Sequence, residues 1–184
     1  MTRLNIGSGY FKIGGDGWLN LDSDPQVGAD ITADAKDYLS RCDNDIIDEI
    51  YAGHFLEHLT QDGALAFLAE CFRVLVPGGN LGIVVPDTRE VMRRYVVGAV
   101  DQVEYPLNVW RPIKDIDTIN AIFIYSTVQP SPHRWMWDQE TLARAMMGAG
   151  FTGLRDIDRY RDTRLGTGQW YQMGFDGWKP EVTR

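Results

Sequence analysis

The sequence predicts a doubly wound α/β fold on a mostly parallel sheet, in one domain that spans residues 1–184. Three observations indicate this class. Short apolar segments alternate with helical patterns, as in strands joined by crossovers. A glycine turn directly follows the first apolar segment. Two late strand-like segments, 151–160 and 168–175, predict a terminal antiparallel hairpin at an edge of the sheet.

Five strands are predicted in the first half of the chain. They are 3–6 (RLNI), 18–22 (WLNLD), 29–34 (ADITAD), 46–53 (IIDEIYAG) and 80–87 (NLGIVVPD). Only about ten residues separate the glycine turn from the second strand, whereas a helical crossover takes a dozen or so. The first crossover is therefore predicted to be shortened, with its helix stunted or absent.

One helix is predicted between the fourth and fifth strands. Its apolar positions recur at offsets of three, four and three residues, which places them on one face. They are Leu65, Leu68, Phe72 and Leu75. Pro77 cannot continue the helix, and Gly78 or Gly79 can take the left-handed conformation of a C-terminal cap.

A second helix is predicted to begin at Asp138. This residue is a good N-cap, and acidic Glu140 follows it in the first turn. The helix is expected to end near Gly148 or Gly150, before the late strands. The side chains expected to face inward are Leu142, Ala145 and Met146.

Residues 101–137 do not fit this alternation. They hold four prolines and many aromatic side chains, without a period of two or 3.6 residues. Such a stretch in a compact domain is usually a lid or an insert with a function, and we expect it to cover a bound substrate. For Trp135 and Trp137, a hydrophobic plug beneath the last helix is the alternative.

Composition favours a globular, cytoplasmic protein. Hydrophobic residues make up 44% of the chain, but no apolar run approaches the roughly 18 residues that cross a bilayer. A strand-like segment follows the first Met within three residues, which leaves no room for a signal peptide. Residues 1–88 hold 5 Lys/Arg against 14 Asp/Glu, so we expect neither a nucleic-acid nor a membrane partner. Cys42 and Cys71 lack the spacing of a zinc site or a disulfide framework.

The glycine turn is Gly7-Ser8-Gly9. Glycine lets the backbone approach a ligand closely, because it has no Cβ. A dinucleotide fingerprint would require a third glycine at position 12, where this chain has Lys12. The sequence therefore disfavours a pyrophosphate-binding turn.

Acidic residues follow the second and third strands. Asp22 is placed to accept hydrogen bonds from both hydroxyls of a ribose, with Asp24 as the alternative. Asp34 is placed to accept from an exocyclic amine such as that of adenine. Each acid taken singly is equally well explained as part of a solvated loop. Glycine, acid and acid at three consecutive strand ends together favour a nucleoside site.

His54, Glu57 and His58 have the H-x-x-E-H spacing of the inverted zinc metalloproteases. Such a site needs both histidines one turn apart on the same helix. His54 instead directly follows a predicted strand, so we expect no metal there. We expect His54 to face the ligand crevice outside the strand ends and His58 to pack in a first helical turn. Glu57 either orients the ring of His54 or caps the following helix.

Six segments resemble the successive motifs of class I S-adenosylmethionine-dependent methyltransferases, most closely a small type-11-like subgroup with a shortened first crossover. They are LNIGSG, GWLNLDSDP, ADITAD, DEIYAGHFLEHL, ECFRVLVPGGNLGIVVPD and HRWMWDQETLARAMMGAGF. The resemblance covers 3–88 and 133–160, and 70–79 is its most specific part. It implies a Rossmann-like, seven-stranded sheet and S-adenosylmethionine as cofactor. The chain departs from the pattern at Asn5, where many members have an acid, and at Phe11, where they have a third glycine.

The resemblance also implies which residues contact the cofactor. The set is Gly7, Ser8, Gly9, Tyr10, Asp22, Ser23, Asp34, Ala35, Gly53 and His54. Within it, the glycine turn would face the methionyl and ribose portion, and Asp22 the ribose hydroxyls. Asp34 with Ala35 would face the adenine, and Gly53 with His54 the methionine end.

Methyl transfer is an in-line displacement, in which the protein chiefly positions the nucleophile and excludes water. A base assists if the acceptor is a hydroxyl. His54 is the first candidate because a histidine titrates near neutral pH, and His133 is the second. We expect a small-molecule acceptor, such as a sugar or a metabolite with a hydroxyl or amine. The alternatives are a cofactor-binding protein without turnover and, less favoured, a zinc hydrolase that uses H-x-x-E-H.

Overall fold

The fold is a seven-stranded mixed sheet with helices, in a computed structural model that describes residues 1–15, 17–97, 133–157 and 172–181. The strands are β1 (Arg3–Ile6), β2 (Trp18–Asp22), β3 (Ile31–Thr32), β4 (Ile47–Gly53), β5 (Leu75–Pro86), β6 (Thr152–Asp156) and β7 (Gln172–Trp178). Their order in the sheet is β3-β2-β1-β4-β5-β7-β6. The first five are parallel, and β7 runs antiparallel to both β5 and β6. The predicted doubly wound sheet with a terminal hairpin is confirmed.

Helices connect and flank these strands. The α-helices of the described residues are α1 (Ala35–Ser40), α2 (Gln61–Val74), α3 (Thr88–Val96) and α4 (Gln139–Gly148). Short 3₁₀ turns lie at Pro25–Val27 and Leu56–His58. The described helices include no segment with the length and apolar character needed to cross a membrane.

The core lies around the three central strands, β1, β4 and β5. Parallel strands covered on both faces are apolar along most of their length. The side chains with 0% exposure from these strands are Leu4, Ile6, Ile50, Ala52, Leu75, Leu81, Ile83 and Val85. The carboxyl ends of β1, β2 and β4 therefore meet at one edge of a well-packed sheet.

The first crossover has no helix in its described residues, as expected. A ladder of side-chain amides shapes it instead. Nδ2 of Asn5 donates to Oδ1 of Asn20 (2.9 Å) and to the carbonyl of Phe11 (2.9 Å). The backbone N–H of Ile13 donates to the same Asn20 oxygen (2.8 Å), and Nδ2 of Asn20 donates to Oδ2 of Asp30 (2.8 Å). The ladder satisfies backbone groups that a helix would otherwise pair.

The predicted inner face of α2 is confirmed at Leu68 and wrong at Leu65. Leu65 is 44% exposed, and the buried side chains are Ala64, Phe67, Leu68, Cys71 and Val74. Phe72 is partly buried and packs against the core, with its ring centroid 5.3 Å from that of Phe151. The helix also ends earlier than predicted, because Leu75 already pairs with Ile47 as the start of β5. Gly78, with φ +81°, lies inside β5 and caps no helix.

Strand lengths differ from the expectation at β3. The predicted segment 29–34 is reduced to Ile31–Thr32. Its flanks have other partners, since Asp30 bonds to Asn20 and Asp34 caps α1. By contrast, the predicted N-cap of α4 is confirmed, and Asp138 forms a capping box with Thr141.

The predicted insert 101–137 lies mostly outside the described residues, of which only 133–137 belong to it. Trp137 is 3% exposed and belongs to the core, and Trp135 packs against that core. The two rings meet edge to face, with centroids 6.4 Å apart. These contacts agree with the hydrophobic plug for Trp137.

Candidate functional site

The glycine turn lies where β1 and β2 end. The backbone N–H groups of Gly7 and Ser8 both donate to the carbonyl of Leu21 (2.9 and 3.1 Å). Gly7 and Gly9 have φ of +66° and +51°, a region that favours glycine. A Cβ on Gly7 would lie 2.6 Å from Cδ2 of Phe55. The turn is therefore packed tightly on the segment that follows β4.

Asp22 points at this turn. Its Oδ2 accepts from the backbone N–H of Gly9 (2.8 Å), and its Oδ1 accepts from that of Asp24 (2.9 Å). A carboxylate offers about four lone-pair positions, so two bonds leave acceptors for ribose hydroxyls. Asp24, the alternative, uses its own Oδ1 to accept from the N–H of Gln26 (2.8 Å). Ser23 lies between the two acids and is exposed.

Asp34 is the N-cap of α1. Its Oδ1 accepts from the N–H groups of Lys36 (2.8 Å) and Asp37 (3.1 Å). Both bonds use one oxygen, so Oδ2 retains lone pairs for an exocyclic amine. Ala35 is buried in the first turn of the helix. Tyr10, next to the glycine turn, is 73% exposed.

His54 stands at the tip of β4, as the sequence predicted, with the unusual φ of +52°. Its backbone N–H donates to the carbonyl of Val84 (2.8 Å). Nε2 lies 3.1 Å from Oε1 of Gln172, and Nδ1 lies 3.2 Å from Oε1 of Glu57. Glu57 thus orients His54, and the cap of α2 is Thr60. A non-glycine residue in this conformation costs about 1–3 kcal/mol and tends to occur at functional sites.

Glu57 is surrounded by imidazoles. Its side chain is buried, and neither carboxylate oxygen makes a well-aligned hydrogen bond to a described residue. Burial alone would raise the pKa of this carboxyl, but the contact with His54 and the nearby His58 and His133 hold it below the usual value. Burial also lowers the pKa of His133. We refer to His54, Glu57, His58 and His133 as the histidine cluster.

His133 reaches the cluster through main-chain bonds. The N–H groups of Arg134 and Trp135 both donate to the carbonyl of Glu57 (2.7 and 3.2 Å). The rings of His133 and His58 then meet edge to face, with centroids 4.9 Å apart and planes at 76°. The two candidate bases named from the sequence, His54 and His133, are thus brought to one place.

Sequence reasoning missed Gln172 and Phe55. Gln172 is the first residue of β7, and the antiparallel register pairs it with Pro86 at the carboxyl end of β5. Only that pairing brings it to His54. No sequence pattern marks Phe55, whose ring lies against Gly7 of the glycine turn.

The H-x-x-E-H spacing lacks the helix that a zinc protease needs. His54 follows β4 in a left-handed conformation, and His58 is the last residue of the 3₁₀ turn Leu56–His58. The predicted position of His54 before any helix is confirmed. His58 is half-buried, but it belongs to this 3₁₀ turn and not to the first turn of α2.

A separate cleft of about 250 Å³ lies between the start of α3 and the start of α4. Its lining includes Thr88, Arg89, Met92 and Met136. None of the predicted cofactor or catalytic residues lines it. The chemistry of the acids, the glycine turn and the histidines places the candidate site at the strand ends instead.

No protein-family model matches the chain, and no curated protein sequence matches it. Its fold is similar to that of several solved structures. One is an S-adenosylmethionine-dependent methyltransferase from Archaeoglobus fulgidus, with 14% identity, a TM-score of 0.62 and coverage of 97% of this chain and 86% of that one. Another, from Thermotoga maritima, has 15% identity, a TM-score of 0.59 and coverage of 97% and 81%. Phosphoethanolamine N-methyltransferase 2 from Haemonchus contortus, in complex with S-adenosyl-L-methionine, has 13% identity, a TM-score of 0.54 and coverage of 98% and 49%.

Proposed function

We propose, from the class I methyltransferase fold that this chain shares with those structures, that it transfers a methyl group from S-adenosylmethionine to a small-molecule acceptor. The observation that carries the proposal is the 2.8 Å bond between Oδ2 of Asp22 and the N–H of Gly9. It holds an acceptor for sugar hydroxyls against a turn that lets a ligand approach the backbone. The acidic first half and the departure at Lys12 argue against a polyanionic or pyrophosphate ligand.

The residues at the strand ends suit the nucleoside part of the cofactor. Asp22 would hold the ribose hydroxyls, and Asp34 with the backbone of Ala35 would hold the adenine. The backbone of the glycine turn would face the chain between ribose and methionine, and Gly53 with His54 would lie near the sulfur. When bound, the cofactor supplies an electrophilic methyl group, so the protein needs to add little covalent chemistry.

The main task of the protein is then to place the acceptor nucleophile in line with that methyl group and to exclude water. His54 is suited to help. Glu57 lies 3.2 Å from its Nδ1, the carboxylate–histidine arrangement that orients a general base. Its Nε2 faces the side-chain amide of Gln172, 3.1 Å away. The base role requires the ring proton on Nδ1, facing Glu57, and an unprotonated Nε2. In that tautomer Nε2 cannot donate to Oε1 of Gln172, and an acceptor hydroxyl that displaced this amide could pass its proton to Nε2.

Calorimetric titration tests the proposal. The full chain should bind S-adenosylmethionine in the micromolar range and should not bind NAD, for which Lys12 replaces a required glycine. Asp22→Ala should weaken cofactor binding by roughly 10- to 100-fold or more, because hydrogen bonds to a charged group are lost. Asp37→Ala, in an exposed position of α1, is the matched control and should bind normally.

Two results would contradict this function. Equal affinity of wild type and Asp22→Ala for S-adenosylmethionine would show that the nucleoside does not bind at these strand ends. Cofactor binding with no S-adenosylhomocysteine formed from any hydroxyl or amine acceptor in a broad panel would favour the alternative, a binding protein without turnover.

A further inference from the structure

Glu57, His58 and His133 bring three potential metal ligands together. One carboxylate oxygen of Glu57 and one ring nitrogen from each histidine all lie within 4.8 Å of one another. Glu57 and His58 are neighbours in the 3₁₀ turn after β4, and His133 comes from a distant segment of the chain. This set differs from the H-x-x-E-H spacing, which would use both His54 and His58 as ligands and Glu57 only as a base.

The carboxylate of Glu57 points to a bound cation. The residue is 1% exposed, its Oε1 lies 3.2 Å from Nδ1 of His54, and its Oε2 has no hydrogen-bond partner within the described part of the chain. A buried carboxylate costs several kcal/mol unless it is paired or coordinates a metal. The groups around it are imidazoles, which bind metals through a neutral nitrogen and then bring no positive charge of their own. A divalent ion between them would place a positive charge beside the buried carboxylate, which neutral imidazoles do not supply.

The supports of these three side chains are already in place. The carbonyl of Glu57 accepts from the N–H groups of Arg134 (2.7 Å) and Trp135 (3.2 Å), which holds His133 against the turn. Nδ1 of His54 lies 3.2 Å from Oε1 of Glu57, so His54 can orient this carboxylate as an outer-sphere partner. The other ring nitrogen of His54, Nε2, lies 3.1 Å from Oε1 of Gln172.

We propose that Glu57, His58 and His133 form a binding site for one divalent transition-metal ion. Two imidazole nitrogens and one carboxylate oxygen suit Zn²⁺, Co²⁺ or Fe²⁺, whereas Mg²⁺ and Ca²⁺ prefer oxygen ligands throughout. Ligand bonds of about 2.0–2.2 Å to one tetrahedral ion place the donor atoms about 3.3–3.6 Å from one another. Side-chain rotations that bring the three donors from within 4.8 Å to this spacing would complete the set, and they leave further coordination positions for water or an added ligand.

The test uses the full chain, stripped with a chelator and titrated with Co²⁺ while visible absorption is recorded. Zn²⁺ is then added as a competitor in a calorimeter. The wild type should bind one equivalent of Co²⁺, with absorption bands that Zn²⁺ removes. Glu57→Gln and His133→Ala should each lose affinity by more than the roughly 10- to 100-fold that an outer-sphere change costs.

His54→Gln separates this site from the H-x-x-E-H site. If Glu57, His58 and His133 are the ligands, His54→Gln should weaken metal binding by at most about 100-fold, as for an outer-sphere partner. In an H-x-x-E-H site it would abolish binding, and His133→Ala would have no effect. Asp62→Asn, an exposed acid in α2, is the matched control for nonspecific binding to an acidic protein and should bind like the wild type.

The proposal is overturned if the wild type takes up no Co²⁺ or Zn²⁺ in these titrations, or if His133→Ala binds as tightly as the wild type. Thermal melts cover the case in which Glu57→Gln does not fold, because His133 is only half-buried and its alanine variant should still show a cooperative transition. Zn²⁺ should raise the melting temperature of wild type and not of His133→Ala. None of these readouts requires S-adenosylmethionine. The proposed metal site is therefore tested independently of the proposed methyl transfer.

Discussion

The two halves of the candidate site are built in different ways. The carboxylates of Asp22 and Asp34 accept from backbone N–H groups 13 and 2 residues away in sequence, and they remain partly open to solvent. The histidine cluster depends on contacts between distant segments and encloses the fully buried Glu57. Local construction keeps acceptors available for a ligand that arrives from water. Distant construction excludes water, which strengthens electrostatic interactions at the place where chemistry would occur.

This difference predicts where each half is vulnerable. We call the half with the glycine turn, Asp22 and Asp34 the turn side. It should lose stability when a residue there can no longer adopt the required backbone conformation. The histidine cluster should tolerate changes in local propensity but lose its geometry when a tertiary bond is removed. Stability measurements on matched pairs of variants test whether the two halves separate in this way.

The largest effect is expected from Gly7→Ala. The new side chain would be held at φ +66° with its Cβ 2.6 Å from the ring of Phe55. The left-handed conformation costs roughly 1–2 kcal/mol and overpacking roughly 1–3 kcal/mol, so unfolding free energy should fall by roughly 2–5 kcal/mol. Gly14→Ala is the control, because nothing lies within 4 Å of its added Cβ. Denaturant unfolding measures both, and a similar loss in the two variants would show that the contact with Phe55 is unimportant.

A smaller effect is expected from Asn20→Ala. This change removes the centre of the amide ladder and takes from Nδ2 of the buried Asn5 its bond to Asn20. An unsatisfied buried polar group costs about 1–3 kcal/mol, which is the expected loss of stability. The control is Asn44→Ala, at an exposed position whose Oδ1 accepts from Arg73 (2.8 Å). It should change stability by no more than about 0.5 kcal/mol.

A double-mutant cycle sharpens this test. Adding Asn5→Ala to Asn20→Ala removes both partners of the buried bond, so the combined loss should be smaller than the sum of the single losses. Strict additivity would mean that the two amides do not depend on each other, and that something other than the ladder shapes the first crossover.

The turn side was largely predictable from sequence for the same reason that it is local. Gly7, Gly9 and Asp22 follow strands whose apolar pattern is clear, and parallel strands bring their carboxyl ends to one edge. The short distance between the first two strands predicted the missing helix. It did not reveal the amide ladder, because an asparagine in a strand gives no sign of which neighbour it will pair with.

The histidine cluster was predictable only in part. The position of His54 followed from the end of β4, but its partner Gln172 depends on the register of an antiparallel strand far along the chain. His133 was singled out for its chemistry, whereas its contact with His58 requires the main-chain bonds to Glu57. Such bonds involve backbone groups that every residue carries, so no sequence pattern marks them.

The smallest of these effects is expected at the start of α4. A capping box lies there, a few residues after His133. Oδ1 of Asp138 accepts from the N–H of Thr141 (2.8 Å), and Oγ1 of Thr141 accepts from the N–H of Asp138 (3.1 Å). Asp138→Ala should cost about 1 kcal/mol, the usual value of an N-cap. Glu140→Ala, two-thirds exposed in the same turn, is the control and should stay within about 0.5 kcal/mol.

The pH dependence identifies the cap as the cause. The N–H of Thr141 and then its side chain lower the pKa of Asp138 below its ordinary value. A carboxyl whose pKa is lowered by folding contributes stability above its unfolded pKa, and this contribution is lost as the pH falls through the folded pKa. The difference in unfolding free energy between wild type and Asp138→Ala should thus be full at pH 7 and should shrink below about pH 4. A difference that stayed constant down to pH 3 would assign the effect to helix propensity and not to the charged cap.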